Sequence, residues 1–414
     1  WFSINQFFKI HMTYYNLTWI CLAIRTISDP ILPIEFLRTQ TYKRDNAHIY
    51  LLAMIPRLSP LTLFHEEMGA KFTTFGGWKM PIRFGSIIEE HNCVRTSVGK
   101  FDVSHMGQIF LDGTDAEYLT NKLVSNNVTR LKDNQAQYAM ITDHRGVILD
   151  DTLVYRNSSD SFMFIPNAGH DEEMFLRWTH FRDEWDLDVT IKNSTSETAM
   201  FAIQGPTAVD SIEALSSDTI SDLKRFTTTV TTIAGIPCTV SRTGYTGEDG
   251  FELLLHSSDA VTLWKALDFP SCGLGSRDTL RTEMGFLLSG QDFNHHKNPR
   301  NPFEAGVDFT VDLNQNFIGR DALLKLRSEE LDFNFIGFSL LERSIPRPGS
   351  AILNEAGEQI GLVTSGTLSP TLNIPIGLGY VPPSYSSIGD SLQISIRNSL
   401  KPAMICSTPF INLQ

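Results

Sequence analysis

The sequence predicts an α+β protein whose C-terminal part is all-β. Two observations carry this. From Leu58 to about residue 330, short strand-like and helix-like runs alternate without a dependable βαβ rhythm, so a doubly wound parallel sheet is not expected. Near residue 331 the composition shifts to short alternating runs separated by Pro and Gly, the pattern of a small barrel or sandwich. With 414 residues the chain has room for roughly two or three domains. At 42% hydrophobic and 20% charged, its composition excludes wholesale disorder, collagen or coiled coil.

Residues 1–57 read as an N-terminal extension, either a targeting segment or a gene-model artefact. They carry six Lys/Arg against three Asp/Glu, with little of the Arg and Ser enrichment of a transit peptide. Between Lys9 and Arg25 full charges are missing, but Asn, Thr and His interrupt those 15 residues. A spanning helix needs about 20 apolar residues.

Beyond Leu58 the elements follow from capping and periodicity. Ser86-Ile-Ile-Glu89 fits a capping box, opening a helix from about Ile87 that ends with Gly99 at its C-terminal cap. Thr114-Asp-Ala-Glu117 repeats the device for a helix reaching about Val124. A turn at Asp143–Gly146 leads into a strand over Val147–Tyr155. Leu280, Met284, Leu287 and Leu288 form one helical stripe closed by Gly290. The C-terminal strands are expected at Phe333–Leu340, Gln359–Thr364, Ile376–Tyr380 and Leu392–Ile396.

Three stretches hold residues that structure alone does not ask for. In the Val147–Tyr155 strand, Val147, Leu149, Asp151, Leu153 and Tyr155 share a face, which sets the Asp151 carboxylate in an apolar row. Burial without a partner is costly, so Asp151 needs a cation, backbone amides, a neighbouring loop or a bound ligand. Asp150 raises the same question on the other face. In Ser241–Leu255, Gly244, Gly247 and Gly250 make a wide turn whose backbone could approach a ligand closely. The following strand puts Glu252 beside Leu254, opposite Phe251, Leu253 and Leu255. Its carboxylate suits either the paired N–H edge of a heterocycle or a salt bridge to a local Arg. In Gly273–Asp278, Arg277 falls in the first turn of a helix, where a cation opposes the dipole. Either Asp278 compensates it, or Arg277 holds an anionic or acceptor-rich ligand. Met106, Tyr138, Tyr155 and Tyr245 suit either a core or the wall of a flat ligand's pocket.

Several classes are excluded. The net charge of −13 argues against a duplex-binding surface. Cys21, Cys93, Cys238, Cys272 and Cys406 are odd in number, dispersed and free of C-x-x-C, so neither a disulfide framework nor a metal site is expected. There is no H-E-x-x-H, His295-His296 are adjacent, and no G-x-S-x-G elbow occurs. Cys272 lacks a base partner and reads as structural.

An ordered set of motifs carries a resemblance. It comprises F-G-G-W-K-M-P (75–81), E-H-N-C-V-R (90–95), V-G-K-F-D-V-S-H-M-G (98–107), G-V-I-L-D-D (146–151) and Q-G-P (204–206). It continues with S-R-T-G-Y-T-G-E-D-G-F-E (241–252), G-L-G-S-R-D-T-L-R (273–281), G-Q-D (290–292), N-P-F-E-A-G (301–306), F-I-G-R (317–320) and T-S-G-T-L-S-P-T-L (364–372). The set resembles the aminomethyltransferases, or T-proteins, of the glycine cleavage system over about residues 60–410.

That resemblance implies a three-domain cloverleaf around a tetrahydrofolate channel. Residues 58–330 would form two interleaved α+β domains, roughly 58–104 with 192–288 and 105–191 with 289–330, and 331–414 a C-terminal β-barrel. It implies transfer of methylene from the aminomethyl-lipoyl arm of the partner H-protein to tetrahydrofolate, with release of ammonia. Tetrahydrofolate would be co-substrate, lipoate would arrive on the partner, and no metal, nucleic acid or membrane is implied. Asp151 matches the catalytic carboxylate, Glu252 the pterin-binding glutamate, Arg277 the folate-binding arginine, and Met106, Tyr138 and Tyr245 pocket positions. The location would be the mitochondrial matrix in a eukaryote or the cytoplasm in a bacterium. Ser289 stands where Tyr is common, Pro166-Asn-Ala-Gly-His170 departs from the usual pattern, and Asn294–Arg300 is about three residues longer than usual. The alternatives are a related folate-dependent demethylase, or a non-catalytic folate-binding protein of iron–sulfur assembly; the K-G-C-Y-x-G-Q motif of the latter does not occur.

Overall fold

The computed structural model describes residues 55–413. The expected extension over 1–57 therefore lies outside the described residues apart from its last positions. Of these, Arg57 already pairs in a parallel bridge with Trp78 and donates to Asp171 at 2.8 Å.

Two sheets meet at the centre. One has six strands in the order Thr228–Ile233, Ile236–Ser241, Gly250–His256, Thr198–Gln204, Gly99–Asp102, Ser271–Cys272. The other has five antiparallel strands in the order Gln135–Thr142, Ile148–Ser158, Ser161–Pro166, Ile109–Asp112, Thr190–Asn193. Outer faces carry helices. Phe251, Leu253 and Leu255 pack under Trp264 on one side. Val154, Phe162 and Phe164 pack under Leu119 and Trp178 on the other. The inner faces share a core: Leu153, Tyr155 and Met163 from the five-stranded sheet meet Phe101, Met200, Ala202 and Leu254 from the six-stranded one. Strand alternation thus supplies an apolar surface to both sides of each sheet.

Asn334–Leu340, Pro375–Val381, Gln359–Leu368, Ala351–Leu353, Ser391–Ile396 and Ser399–Cys406 close into a barrel. The strands at 351–353 and 399–406 were not expected from sequence. The first is only three residues long, and the second carries Pro402, which weakens a strand reading. The expected α+β class with a C-terminal all-β barrel is what the chain adopts.

Several local expectations change. The helix expected from Ile87 spans Ile87–Thr96, but the Ser86 side chain makes no cap; Glu90 reaches back instead, accepting from Phe84 N at 2.8 Å and Gly85 N at 3.0 Å. Gly99 opens a strand rather than ending that helix, and it is small because a Cβ there would meet Cys272 Sγ and Val94 at 2.7 Å. The helix expected after Thr114 spans Ala116–Leu123 and also lacks a side-chain cap. The Leu280 helix spans Leu274–Met284 and stops at Gly285, whose φ of +72° is left-handed, so Leu287 and Leu288 lie beyond it. The Asp143–Gly146 turn forms as expected, with Asp143 Oδ1 accepting from Arg145 N and Val147 N.

Candidate active site

Asp151 sits on the Ile148–Ser158 strand with its side chain on the inner face, 8% exposed. A register shift against the neighbouring strand at Ile141/Thr142 changes the expected face assignment. Leu149 joins the outer core with Val154, whereas Asp151, Leu153 and Tyr155 keep the inner face. Two neutral donors hold Asp151: Tyr138 Oη to Oδ2 at 2.7 Å and Asn167 Nδ2 to Oδ1 at 2.7 Å. No cation lies within ion-pair distance of it among the described residues. Burial first, and then the charge of Asp150, push its carboxyl up to about 7, against the pull of the Tyr138 and Asn167 hydrogen bonds. Burial and the neighbouring Asp151 charge hold the Tyr138 phenol well above its ordinary value.

Asp150 is fully buried. It accepts from Asn167 N and Nδ2, each at 2.9 Å, and from Ser289 Oγ at 2.7 Å, with His170 Nδ1 3.0 Å away. Ser289 and His170, two positions where the sequence departs from the family pattern, thus converge on one carboxylate oxygen.

Glu252 lies on the inner face of the six-stranded sheet, 7% exposed. Thr243 Oγ1 donates to its Oε2 at 2.5 Å and is its only hydrogen-bond partner among the described residues. Among the described residues Glu252 forms no salt bridge. Burial raises its carboxyl, opposed by Thr243 and by the charge of Arg277. Arg277 is in the first turn of the Leu274–Met284 helix, as expected, but Asp278 does not compensate it; Asp278 pairs with Arg281 at 2.7 Å. The guanidinium instead lies over the Tyr245 ring, 4.6 Å from its centroid, with Nη1 buried and unbonded. Tyr245 donates its hydroxyl to the Leu287 carbonyl, which anchors the ring.

The carried-over positions therefore gather along the seam between the sheets: Tyr138 bonds Asp151, the charge of Asp151 reaches Tyr245, Arg277 lies over the Tyr245 ring, and its charge reaches Glu252. Met106 borders the shared inner core beside the seam. Tyr155, which suited either a core or a pocket wall, is buried in that core, with its hydroxyl 3.4 Å from Thr243 Oγ1. The glycine-rich turn has another purpose than the one expected. A Cβ at Gly244 would collide with the Gln204 side chain, at Gly247 with Met284, and at Gly250 with the Ile203 carbonyl. These glycines admit the protein's own atoms.

Sequence reasoning missed Asn167, Thr243 and His105. Asn167, immediately after a strand, was visible as a polar residue in the Pro166–His170 turn. Thr243 shows no distinctive signal. His105 is buried with Nδ1 unbonded, and burial followed by the charge of Arg277 lowers it to about 3, so it is neutral. Cys272 is structural as expected: its thiol is buried and pushed well up by burial. Two open surface concavities, of about 550 Å³ beside Tyr118 and about 570 Å³ along Arg83–Glu89, lie away from this seam. Among the described residues no group of three or more His, Cys, Asp or Glu could hold a metal ion, and no helix is long and apolar enough to cross a membrane.

An unbonded buried guanidinium, a carboxylate with one donor and a raised carboxyl, at the seam of two sheets backed by a barrel, define a ligand-binding α+β enzyme. Family models place it more closely: the GCVT N-terminal domain matches residues 61–315, and the glycine cleavage T-protein C-terminal barrel domain matches 334–412. The chain belongs to the glycine cleavage T-protein family. It is 49% identical over 362 residues to a probable aminomethyltransferase of Haloarcula marismortui, covering 87% of this chain and 100% of the relative. It is 41% identical over 361 residues to an aminomethyltransferase of Halothermothrix orenii, covering 85% and 99%. The crystal structure of glycine cleavage system aminomethyltransferase T from Bartonella henselae matches with a TM-score of 0.80 at 28% identity, over 86% of this chain and 98% of that one.

Proposed function

We propose that this chain transfers the methylene of an aminomethyl group, carried on the lipoyl arm of H-protein, to tetrahydrofolate. Ammonia is released, and 5,10-methylenetetrahydrofolate and dihydrolipoyl H-protein are left. Family membership supports the reaction class, and the observation that carries the site is Asp151: a nearly buried carboxylate with neutral donors only. The residues present fit a folate. Among the described residues Glu252 has one oxygen without a protein donor, matching a ring N–H edge, and the unbonded Nη1 of Arg277 is a donor without an acceptor.

Tetrahydrofolate, when bound, supplies the nucleophilic nitrogens that accept the carbon. Glu252 and Arg277 orient it, and Met106, Tyr138 and Tyr245 form the wall that excludes water. Asp151 stands where its negative charge stabilises positive charge developing on the transferred carbon and orients the amine. Tyr138 and Asn167 hold that carboxylate in one rotamer. The archaeal and bacterial origin of the relatives supports the cytoplasmic alternative and lends nothing to the mitochondrial one.

The test is ammonia release and methylenetetrahydrofolate formation from aminomethylated H-protein, with and without tetrahydrofolate. Folate-dependent release of both products supports the reading. Folate binding without ammonia release overturns it.

A further inference from the structure

Asp150 and Asp151 are adjacent carboxylates that share one amide. Asn167 Nδ2 faces Asp150 Oδ1 at 2.9 Å and Asp151 Oδ1 at 2.7 Å. Two neighbouring carboxylates in a dry site resist carrying two charges together. Among the described residues, His170 is the one basic side chain within ion-pair distance of either, 3.0 Å from Asp150 Oδ1. His170 Nδ1 has no other polar partner among the described residues.

Helix capping does not explain His170. It immediately precedes the Asp171–Glu184 helix, yet its side chain makes no cap hydrogen bond there. A cation at that end opposes the helix dipole, so carboxylates must hold it. Asp150 and Asp151 face it from the strand and Glu173 from its own helix, while His295 opposes it from the 294–300 turn. Asp171 is engaged by Arg57 at 2.8 Å. The imidazole remains 24% exposed and can exchange protons with solvent.

Resting on the reaction proposed above, we propose that His170 is a positioning residue: its imidazolium compensates Asp150, and so leaves Asp151 free to work as a carboxylate. Burial alone would lower the imidazole, but the charge of Asp150 and its contact with Nδ1, followed by the charges of Glu173 and Asp151, reverse that and raise it to about 9. It is therefore a cation at neutral pH. Ser289 Oγ donates to the same Asp150 oxygen at 2.7 Å, beside this pairing. The device acts through Asp150 and Asn167, without His170 touching the reacting atoms.

Two measurements test it. In the folate-free protein, NMR titration of the His170 imidazole should give a midpoint near 9, and a midpoint at or below the ordinary 6.5 overturns the proposal. That reading needs no turnover, so it stands apart from any failure of the transferase assignment. In the ammonia assay, His170→Gln should move the acid limb of kcat upward by about one pH unit, a tenfold loss on the acid side. His170→Lys, which keeps a cation, should restore the limb. A folded His170→Gln protein with an unmoved limb overturns the proposal, because a merely structural residue would change the plateau or the melting temperature and leave the limb in place.

Discussion

Tyr138 donates to Asp151 diagonally across two neighbouring strands. The residue directly opposite Asp151 is Met140, and Tyr138 itself stands opposite Leu153, two positions along. Such diagonal neighbours lie on one face of a sheet within reach of a long side chain. The phenol therefore comes to the carboxylate along the inner face, from a rigid ladder rather than from a loop.

Replacing Tyr138 by Phe tests that contact. Its hydrogen bond pulls the Asp151 carboxyl down against burial and Asp150. Removing it should raise the Asp151 midpoint, so that carboxylate-dependent activity is lost at a higher pH. We expect the acid limb of kcat in Tyr138→Phe to rise by about half to one pH unit. A pH–rate profile that superimposes on the parent would show that the bond does not tune Asp151.

Asp151→Asn should separate function from stability. A carboxyl raised from 3.8 to about 7 in the folded state favours folding below its ordinary value, and loses that contribution as pH rises through 7. The amide is neutral throughout. Its melting temperature at pH 8 should equal or exceed that of the parent, while kcat falls by about 10²- to 10⁴-fold. A calorimetric scan at pH 5 and pH 8 beside the ammonia assay reads both; full activity would remove Asp151 from the chemistry.

Glu252→Ala should act on binding. Loss of one charged acceptor is worth about 1.5–3 kcal/mol, or roughly 10- to 100-fold in Kd for tetrahydrofolate. Isothermal titration measures it. Unchanged affinity would mean that the ligand does not use this carboxylate.

Arg281→Met should be a stability variant. Arg281 is 1% exposed and donates to Asp292 Oδ2 and Ser365 Oγ, each at 2.7 Å. Removing it leaves the fully buried Asp292 without its cation, with only Ser365 Oγ and Leu288 N still donating to it, at a cost of about 3–5 kcal/mol. The double variant Arg281→Met, Asp292→Leu should recover part of that in urea unfolding. A recovery of zero would place the loss elsewhere, in packing.

Much of the scaffold was legible because alternation and turn chemistry are local. The Asp143 turn, the shared face of Asp151 with Leu153 and Tyr155, the placement of Glu252 beside Leu254, and the all-β class of the C-terminal part follow from period and punctuation alone. What was hidden depends on distant chain. The register shift that moves Leu149 to the outer core comes from the facing strand. Gly244, Gly247 and Gly250 are small because Ile203, Gln204 and Met284 press on them, which no pattern within that loop reveals. Glu90 replaced Ser86 as the cap because it also accepts from Gly273 N at 2.9 Å, a residue 183 positions away. An Arg277 Nη1 without a hydrogen-bond partner among the described residues could be suspected from the dipole, but only tertiary contacts show that Asp278 is engaged by Arg281.

The Leu274–Met284 helix carries Arg277 in its first turn, and at its other end the barrel grips Arg281 and Glu283. Glu283 accepts from Thr371 N at 3.1 Å and Thr371 Oγ1 at 2.9 Å, and its backbone carbonyl accepts from Phe410 N at 2.8 Å. Damage on the far barrel would then be felt as a shift in ligand affinity, transmitted along one rigid rod. A screen for weakened folate binders would consequently return barrel substitutions that never approach the ligand. Cofactor saturation should rescue these remote lesions, in the manner of a pharmacological chaperone.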